Sequence, residues 1–159
     1  MDRVLLDTNV LLDFFSTTRS DHDVVVALLV RMRAAKVSIA VAATSLKDTY
    51  YVLSRSDGEP VARQAVTSAM ATMDILPIDA ECCRTALAGT EPDFEDGLIR
   101  TAAETAELDY IISRDTRAFT GSRVPRLTPA DALRELTPRA SATSGSPRTS
   151  AAPVATGSA

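Results

Sequence analysis

Short apolar runs alternating with stretches of helical period predict an α/β fold with a central, mostly parallel sheet. Two observations carry that reading. The runs RVLL (3–6), VSIAV (37–41), ILPI (75–78) and DYIIS (109–113) are short and continuously apolar, as buried strands are. Each is separated from the next by one or two segments whose apolar residues recur every three or four positions.

The elements follow in order. RVLL forms a first strand that ends at Asp7, and residues 9–16 turn helical. Residues 21–35 form a second helix on Val24, Val25, Leu28, Leu29 and Met32, with Asp21 and Asp23 at its positive end. After the strand 37–41, Thr44 or Ser45 caps a helix that runs to about Arg55. Ser56-Asp57-Gly58 makes a turn, and Pro60 opens a helix carrying Val61, Ala65, Val66, Ala69, Met70 and Met73 on one face. ILPI is the third strand, and residues 79–88 are helical, ending near Gly89. Asp93 or Phe94 starts a helix with Leu98, Ile99, Ala102, Ala103 and Ala106 inward, before the fourth strand at 109–113. VPRL (124–127) is a short fifth strand, and Thr128 caps a last helix that begins with Pro129.

Composition narrows the chemistry. The 159 residues carry a net charge of −4, with one His and two Cys, so zinc fingers, His-rich metal sites and disulfide frameworks are excluded. No G-x-G-x-x-G or G-x-x-x-x-G-K pattern supplies a phosphate-cradling loop. An acidic chain is no bulk electrostatic binder of nucleic acid. Residues 137–159 are rich in Ala, Ser, Thr, Pro and Gly and hold no Leu, Ile, Phe, Met, Asp or Glu, so they read as a disordered, low-complexity tail after a domain spanning 1–136. No run has the length of a membrane span and the N-terminus lacks a signal-peptide pattern, which points to the cytoplasm, where the adjacent Cys82 and Cys83 stay reduced.

The acids are biased in kind, 14 Asp to 7 Glu, although Asp is a poor interior helix residue. Four of them fall where the strand map opens onto the C-terminal rim of the sheet, the place where α/β folds bind ligands. Asp7 ends the first strand, Asp48 lies one turn into the helix after the second, Asp96 lies in the first turn of the helix before the fourth, and Asp115 follows the fourth by two residues. Carboxylates that converge in one cleft repel each other until a cation neutralises them. Oxygen ligands without His or Cys select Mg²⁺ or Mn²⁺, ions suited to hydrolysing a phosphodiester.

At this point the sequence resembles a known family. VLLDTNVLLDFF (4–15), SLKDTYYVLSR (45–55), DFEDGLIRTAAETAELDYIISRDTRAF (93–119) and VPRLTPADAL (124–133) are similar, in order, to the blocks of PIN-domain proteins. The resemblance implies a three-layer sandwich, a mostly parallel sheet flanked by helices, with an acidic pocket at the strand ends. It further implies an Mg²⁺- or Mn²⁺-dependent ribonuclease, in the manner of VapC-like toxins held inactive by a cognate antitoxin, and a homodimer. By motif position Asp7, Asp96 and Asp115 match the metal-binding acids. Asn9 matches a polar residue that orients Asp7. Asp48 stands where the wider family has Glu, one methylene longer, and it either accepts a proton from the attacking water or holds a metal-bound water. All four acid positions filled argues for retained catalysis. Gly97 stands where Ala is common, which loosens the helix start by about 1 kcal/mol.

Other residues have more than one reading. Asp93 is an N-cap or acts behind the ligands; Thr8 caps a helix or hydrogen-bonds at the pocket; Ser113 positions a water beside Asp115 or merely ends a strand; Glu95 faces solvent. Arg114 is the first candidate for a phosphate contact, and Arg100, four residues after Asp96, pairs with it along the helix. Tyr50 is assigned to the core and Tyr51 to a groove rim. Two rival functions remain. One is a non-catalytic RNA- or protein-binding module on the same fold. The other, phosphoryl chemistry on an aspartate, lacks a second Asp two residues after Asp7 and has only Lys36 and Lys47 to offer as a basic partner.

Overall fold

The computed structural model describes residues 1–136, so the tail read from the sequence lies outside the described residues. Five strands, β1 (Arg3–Leu6), β2 (Ser38–Ala42), β3 (Asp74–Leu76), β4 (Tyr110–Ile112) and β5 (Arg126–Leu127), pair in the order β3-β2-β1-β4-β5. Every pairing is parallel. The α/β reading holds, and the sheet is parallel throughout rather than mostly so. The chain winds one way from β1 to β2 and β3, then returns to add β4 and β5 on the other side. That reversal places a crevice between the C-terminal ends of β1 and β4.

Helices cover both faces, giving three layers: α1 (Thr8–Phe15), α2 (His22–Ala34), α3 (Ala43–Ser56), α4 (Glu59–Thr72), α5 (Ala80–Leu87), α6 (Phe94–Thr105) and α7 (Pro129–Leu136). The period-2 geometry of the strands divides the core. Val4 and Leu6 of β1, Val41 of β2 and Ile112 of β4 pack with Val10, Leu11, Val25, Leu28, Met32 and Ala132 on the α1–α2–α7 side. Leu5, Ala40, Ala42 and Ile111 pack on the opposite side with Ile99, Ala102, Ala103 and Leu108 around α6. Burial on both faces explains why these strands read as continuous apolar runs.

Two boundaries differ from the sequence expectation for physical reasons. β2 runs straight into α3, with Ala42 as its N-cap and no side-chain cap. Thr44 and Ser45 therefore lie inside the first turn, and the buried Ser45 hydroxyl is used elsewhere. β5 keeps only two of the four residues assigned to it, since only Arg126 and Leu127 pair with β4. The α3–α4 turn is made by Gly58, whose φ of +92° suits a residue without Cβ. Gly97 has a role beyond helix propensity. A Cβ there would lie 3.1 Å from both the Cβ and the carbonyl oxygen of Ala86, so glycine lets α5 and α6 approach. Among the described residues no helix is long and apolar enough to cross a membrane.

Candidate active site

β1 ends by passing directly into α1. The Asp7 carbonyl accepts the first helical bonds, from Val10 and Leu11 N–H at 3.0 Å, so Asp7 is the N-cap by backbone. Its carboxylate caps nothing. Instead it is buried, 4% exposed, and Oδ2 accepts the Ser113 hydroxyl at 2.7 Å. Ser113 is fully buried just past β4, held by its N–H to the Leu127 carbonyl. Its Oγ also accepts the Asp115 N–H at 3.0 Å, so one hydroxyl ties the ends of β1 and β4 together across the crevice. Asp115 sits in a tight turn, where Oδ1 accepts the N–H groups of Arg117 at 2.7 Å and Ala118 at 3.2 Å.

The third wall is the start of α6. Asp93 is its N-cap, accepting the Asp96 N–H at 2.9 Å, and this fixes the phase of the first turn. The turn then carries Glu95 and Asp96 next to each other. Glu95 does not face solvent as the sequence suggested. Its Oε1 lies 2.6 Å from the Thr8 hydroxyl, which is itself 2.8 Å from Ser45 Oγ. Thr8 thus works at the pocket and not as a cap. Its hydroxyl connects the beginnings of α1, α3 and α6.

Electrostatics mark the same cluster. Burial pushes the Asp7 carboxyl up to about 6 against the lowering effect of Ser113 and Thr8, and the charges of Glu95 and Asp115 push the same way as burial. Asp96 is raised to about 7 by desolvation first, then by the charges of Asp93, Asp7, Asp115 and Glu95. Asp115 is held below the usual carboxylate range by the Arg117 and Ala118 N–H groups. Asp7 and Asp96 therefore compete for protons near neutrality beside an ionised Asp115.

Among the described residues no group of three or more His, Cys, Asp or Glu side chains is placed to hold a metal ion. Mg²⁺ asks for less: one or two carboxylates, several retained waters and oxygen donors only. Two carboxyls raised by burial and mutual repulsion, with a third acid near enough to raise both, fit such an open, water-rich site. Asp7 and Asp96 are the two residues that could hold the ion.

A family model for the PIN domain matches residues 3–117. The chain belongs to the PIN-domain family. No curated protein matches it. Solved structures resemble its fold: VapC20 of Mycobacterium tuberculosis, described as a sarcin-ricin loop cleaving toxin, at 15% identity and TM-score 0.60, covers 70% of this chain and 89% of its own. VapBC2 of Rickettsia felis, bound to a DNA fragment from its promoter, aligns at 18% identity and TM-score 0.62 over 79% of this chain and 98% of its own. A toxin–antitoxin complex from Klebsiella pneumoniae aligns at 22% identity and TM-score 0.59, over 79% of this chain and 97% of its own. At these identities the likeness is one of fold.

Within this PIN domain several residues stand elsewhere than the sequence suggested. Arg114 is engaged by two acids. It lies 2.9 Å from Oδ2 of the fully buried Asp13 and donates to Asp21 at 3.1 Å. Asp13 also pairs with Arg19 at 2.5 Å, so it draws both guanidinium groups towards the α1–α2 connection. Arg100 pairs with Glu91 at 2.5 Å and Glu104 at 3.0 Å rather than with Asp96, because both glutamates are nearly buried and need the cation more. Asn9 is exposed and makes no hydrogen bond to Asp7; Ser113 does the orienting. Asp48 engages its own helix, Lys47 at 2.6 Å and Thr44 at 3.5 Å. Tyr50 is half-buried and donates to Glu59, while Tyr51 is exposed beneath the Arg55 guanidinium. An apolar groove of about 650 Å³, lined by Phe14, Leu29, Val30 and Met73, includes Ser38 and Asp74 at the other end of the sheet and none of the pocket acids.

Glu95, Asp13 and the double use of the Ser113 hydroxyl were missed from sequence. Only Glu95 left a signal there: once Asp93 is the N-cap, positions 95 and 96 share the first turn, and two adjacent acids at the rim are candidates together.

Proposed function

We propose that this PIN domain is an Mg²⁺- or Mn²⁺-dependent endoribonuclease, the toxin of a type II toxin–antitoxin pair. The carrying observation is the pair Asp7 and Asp96, raised to about 6 and about 7 at the crevice between β1 and β4. Such a pair is unfavourable by itself and is resolved by a hard cation. Asp7 and Asp96 would hold the ion, with Asp115 as a further ligand or through a water; the ion supplies neutralisation of the phosphate and activation of water.

The chain's own residues do the rest. Ser113 and the Thr8 N–H hold the Asp7 carboxylate in one orientation, Ser113 through Oδ2. Asp93 fixes Asp96 by capping its N–H. Since Arg114 is committed to Asp13 and Asp21, phosphate contact passes to the exposed Lys47 and Arg117, which flank the acids on α3 and in the Asp115 turn. Asp48 then acts by orienting Lys47. The acidic body makes a partner protein and a second copy of the chain reasonable sources of further grip on RNA.

The test is cleavage of RNA by wild type and by Asp7→Asn protein, each with Mg²⁺ or with EDTA. Metal-dependent cleavage that is lost in the variant supports the proposal. Absence of cleavage together with retained RNA binding would favour the non-catalytic module. An overlapping small reading frame upstream, and relief of growth arrest by its product, separates a toxin from a housekeeping nuclease.

A further inference from the structure

We propose that Glu95 is the fourth acid of the pocket, a positioning residue that takes the place family resemblance gives to Asp48. The inference rests on the metal-dependent reading above and adds a residue to that same site.

The argument is geometric. A hydroxyl carries one proton, and an ionised carboxylate can only accept. Thr8 Oγ1 stands 2.6 Å from Glu95 Oε1 and 2.8 Å from Ser45 Oγ, placed to donate its one proton to either, and the carboxylate is the stronger acceptor. Both hydroxyls are buried, Ser45 completely. The buried Thr8 hydroxyl of α1, which also touches Ser45 of α3, therefore fixes one oxygen of a glutamate on α6. A surface glutamate would need no such anchor. Oε1 is committed to Thr8, and Oε2 is left to accept from a water held between the carboxylates. The charge of Glu95 acts on both Asp7 and Asp96, and also on Lys47 of α3. Asp48 is not among the leading charges acting on either aspartate, and both its partners lie on its own helix. Asp48 stays on α3 with those partners, and Glu95 reaches Thr8 from α6.

Mn²⁺ affinity, read by water-proton relaxation on the full chain, tests this without relying on turnover. Glu95→Gln keeps an oxygen for Thr8 and removes the charge. It should weaken Mn²⁺ binding about tenfold or more, as loss of an outer carboxylate does, and Asp48→Asn should change it by less than about twofold. Thr8→Val, which leaves every acid in place but frees Glu95, should weaken binding in the same direction. Where Glu95→Gln fails to fold, Glu95→Asp keeps the charge, shortens the reach and should show the same loss. Wild-type affinity in the Glu95 variants, with the loss found in Asp48→Asn instead, overturns the inference and leaves the nuclease reading standing. A wild-type chain that binds no Mn²⁺ overturns both.

Discussion

Replacing Asp7 by Asn should stabilise the metal-free protein at alkaline pH, an unusual outcome for a change at a buried site. Asp7 is pushed up to about 6 from an ordinary 3.8. Between those values the native state binds more protons than the unfolded chain, so stability falls as pH rises. The contribution is complete below about 3.8, is lost as pH rises through about 6, and is flat beyond. The gap corresponds to about 3 kcal/mol at 1.36 kcal/mol per pH unit. The substituted amide does not titrate, and its oxygen can still accept one of the two donors that hold the carboxylate, Ser113 and the Thr8 N–H. One amide N–H left without a partner takes back about 1 kcal/mol. The net expectation is a gain of about 2 kcal/mol at pH 8, or roughly 5–10 °C in Tm for a domain of this size. Thermal melts of both proteins in EDTA at pH 4, 6 and 8 check it: the curves should nearly coincide at pH 4 and separate by pH 8. Millimolar Mg²⁺ should raise Tm of the wild type at pH 8 and leave the variant unmoved. An Asp7→Asn protein that melts at or below wild type at pH 8 in EDTA would refute the claim that this carboxylate is penalised by its surroundings.

Three further changes probe the parts that hold the site. Ser113→Ala removes a buried donor to Asp7 and an acceptor for Asp115, and should cost about 2 kcal/mol in urea denaturation at pH 7, with a smaller loss at pH 4 where Asp7 is neutral. Gly97→Val should cost about 1–3 kcal/mol by the same measurement, because its Cβ meets Ala86 on α5 at 3.1 Å; a neutral result would show that the helices part freely. Arg114→Met strips one of two guanidinium partners from the buried Asp13. It should destabilise by about 1–2 kcal/mol, discounted for the partial exposure of the arginine, while RNA affinity of the folded fraction stays unchanged. A selective loss of RNA affinity would return Arg114 to phosphate binding.

What the sequence made legible, and what it did not, divides along a physical line. Positions set by the backbone were readable. The strands announce themselves as apolar runs because both faces of the sheet are covered. The rim rule then finds Asp7, Asp96 and Asp115, since the C-terminal end of a parallel strand has one location in the fold. Asp93 was readable as a cap for the same reason: its task is local. Directions set by side-chain competition were not readable. Arg114 and Asp115 are neighbours, yet the guanidinium is drawn away by Asp13, a buried acid contributed by a helix about a hundred residues earlier. Arg100 has an acid four residues before it and pairs with two others because those are more deeply buried. Glu95 looks like a solvent residue beside a ligand until a threonine from α1 is seen to hold it. For Arg114 and Glu95 the deciding partner lies on another element, and for Arg100 one partner, Glu104, shares its helix; the pairing follows whichever buried charge or hydroxyl has no alternative. The same rule explains why Asp7 and Asp96 remain distinctive. Of the pocket carboxylates they are the ones raised to near neutrality, and no arginine or lysine among the described residues turns to neutralise them. Arg114 and Lys47 are drawn to Asp13, Asp21 and Asp48, and Arg117 and Arg126 act on Asp115, which leaves Asp7 and Asp96 as the place where a cation from solution has most to offer.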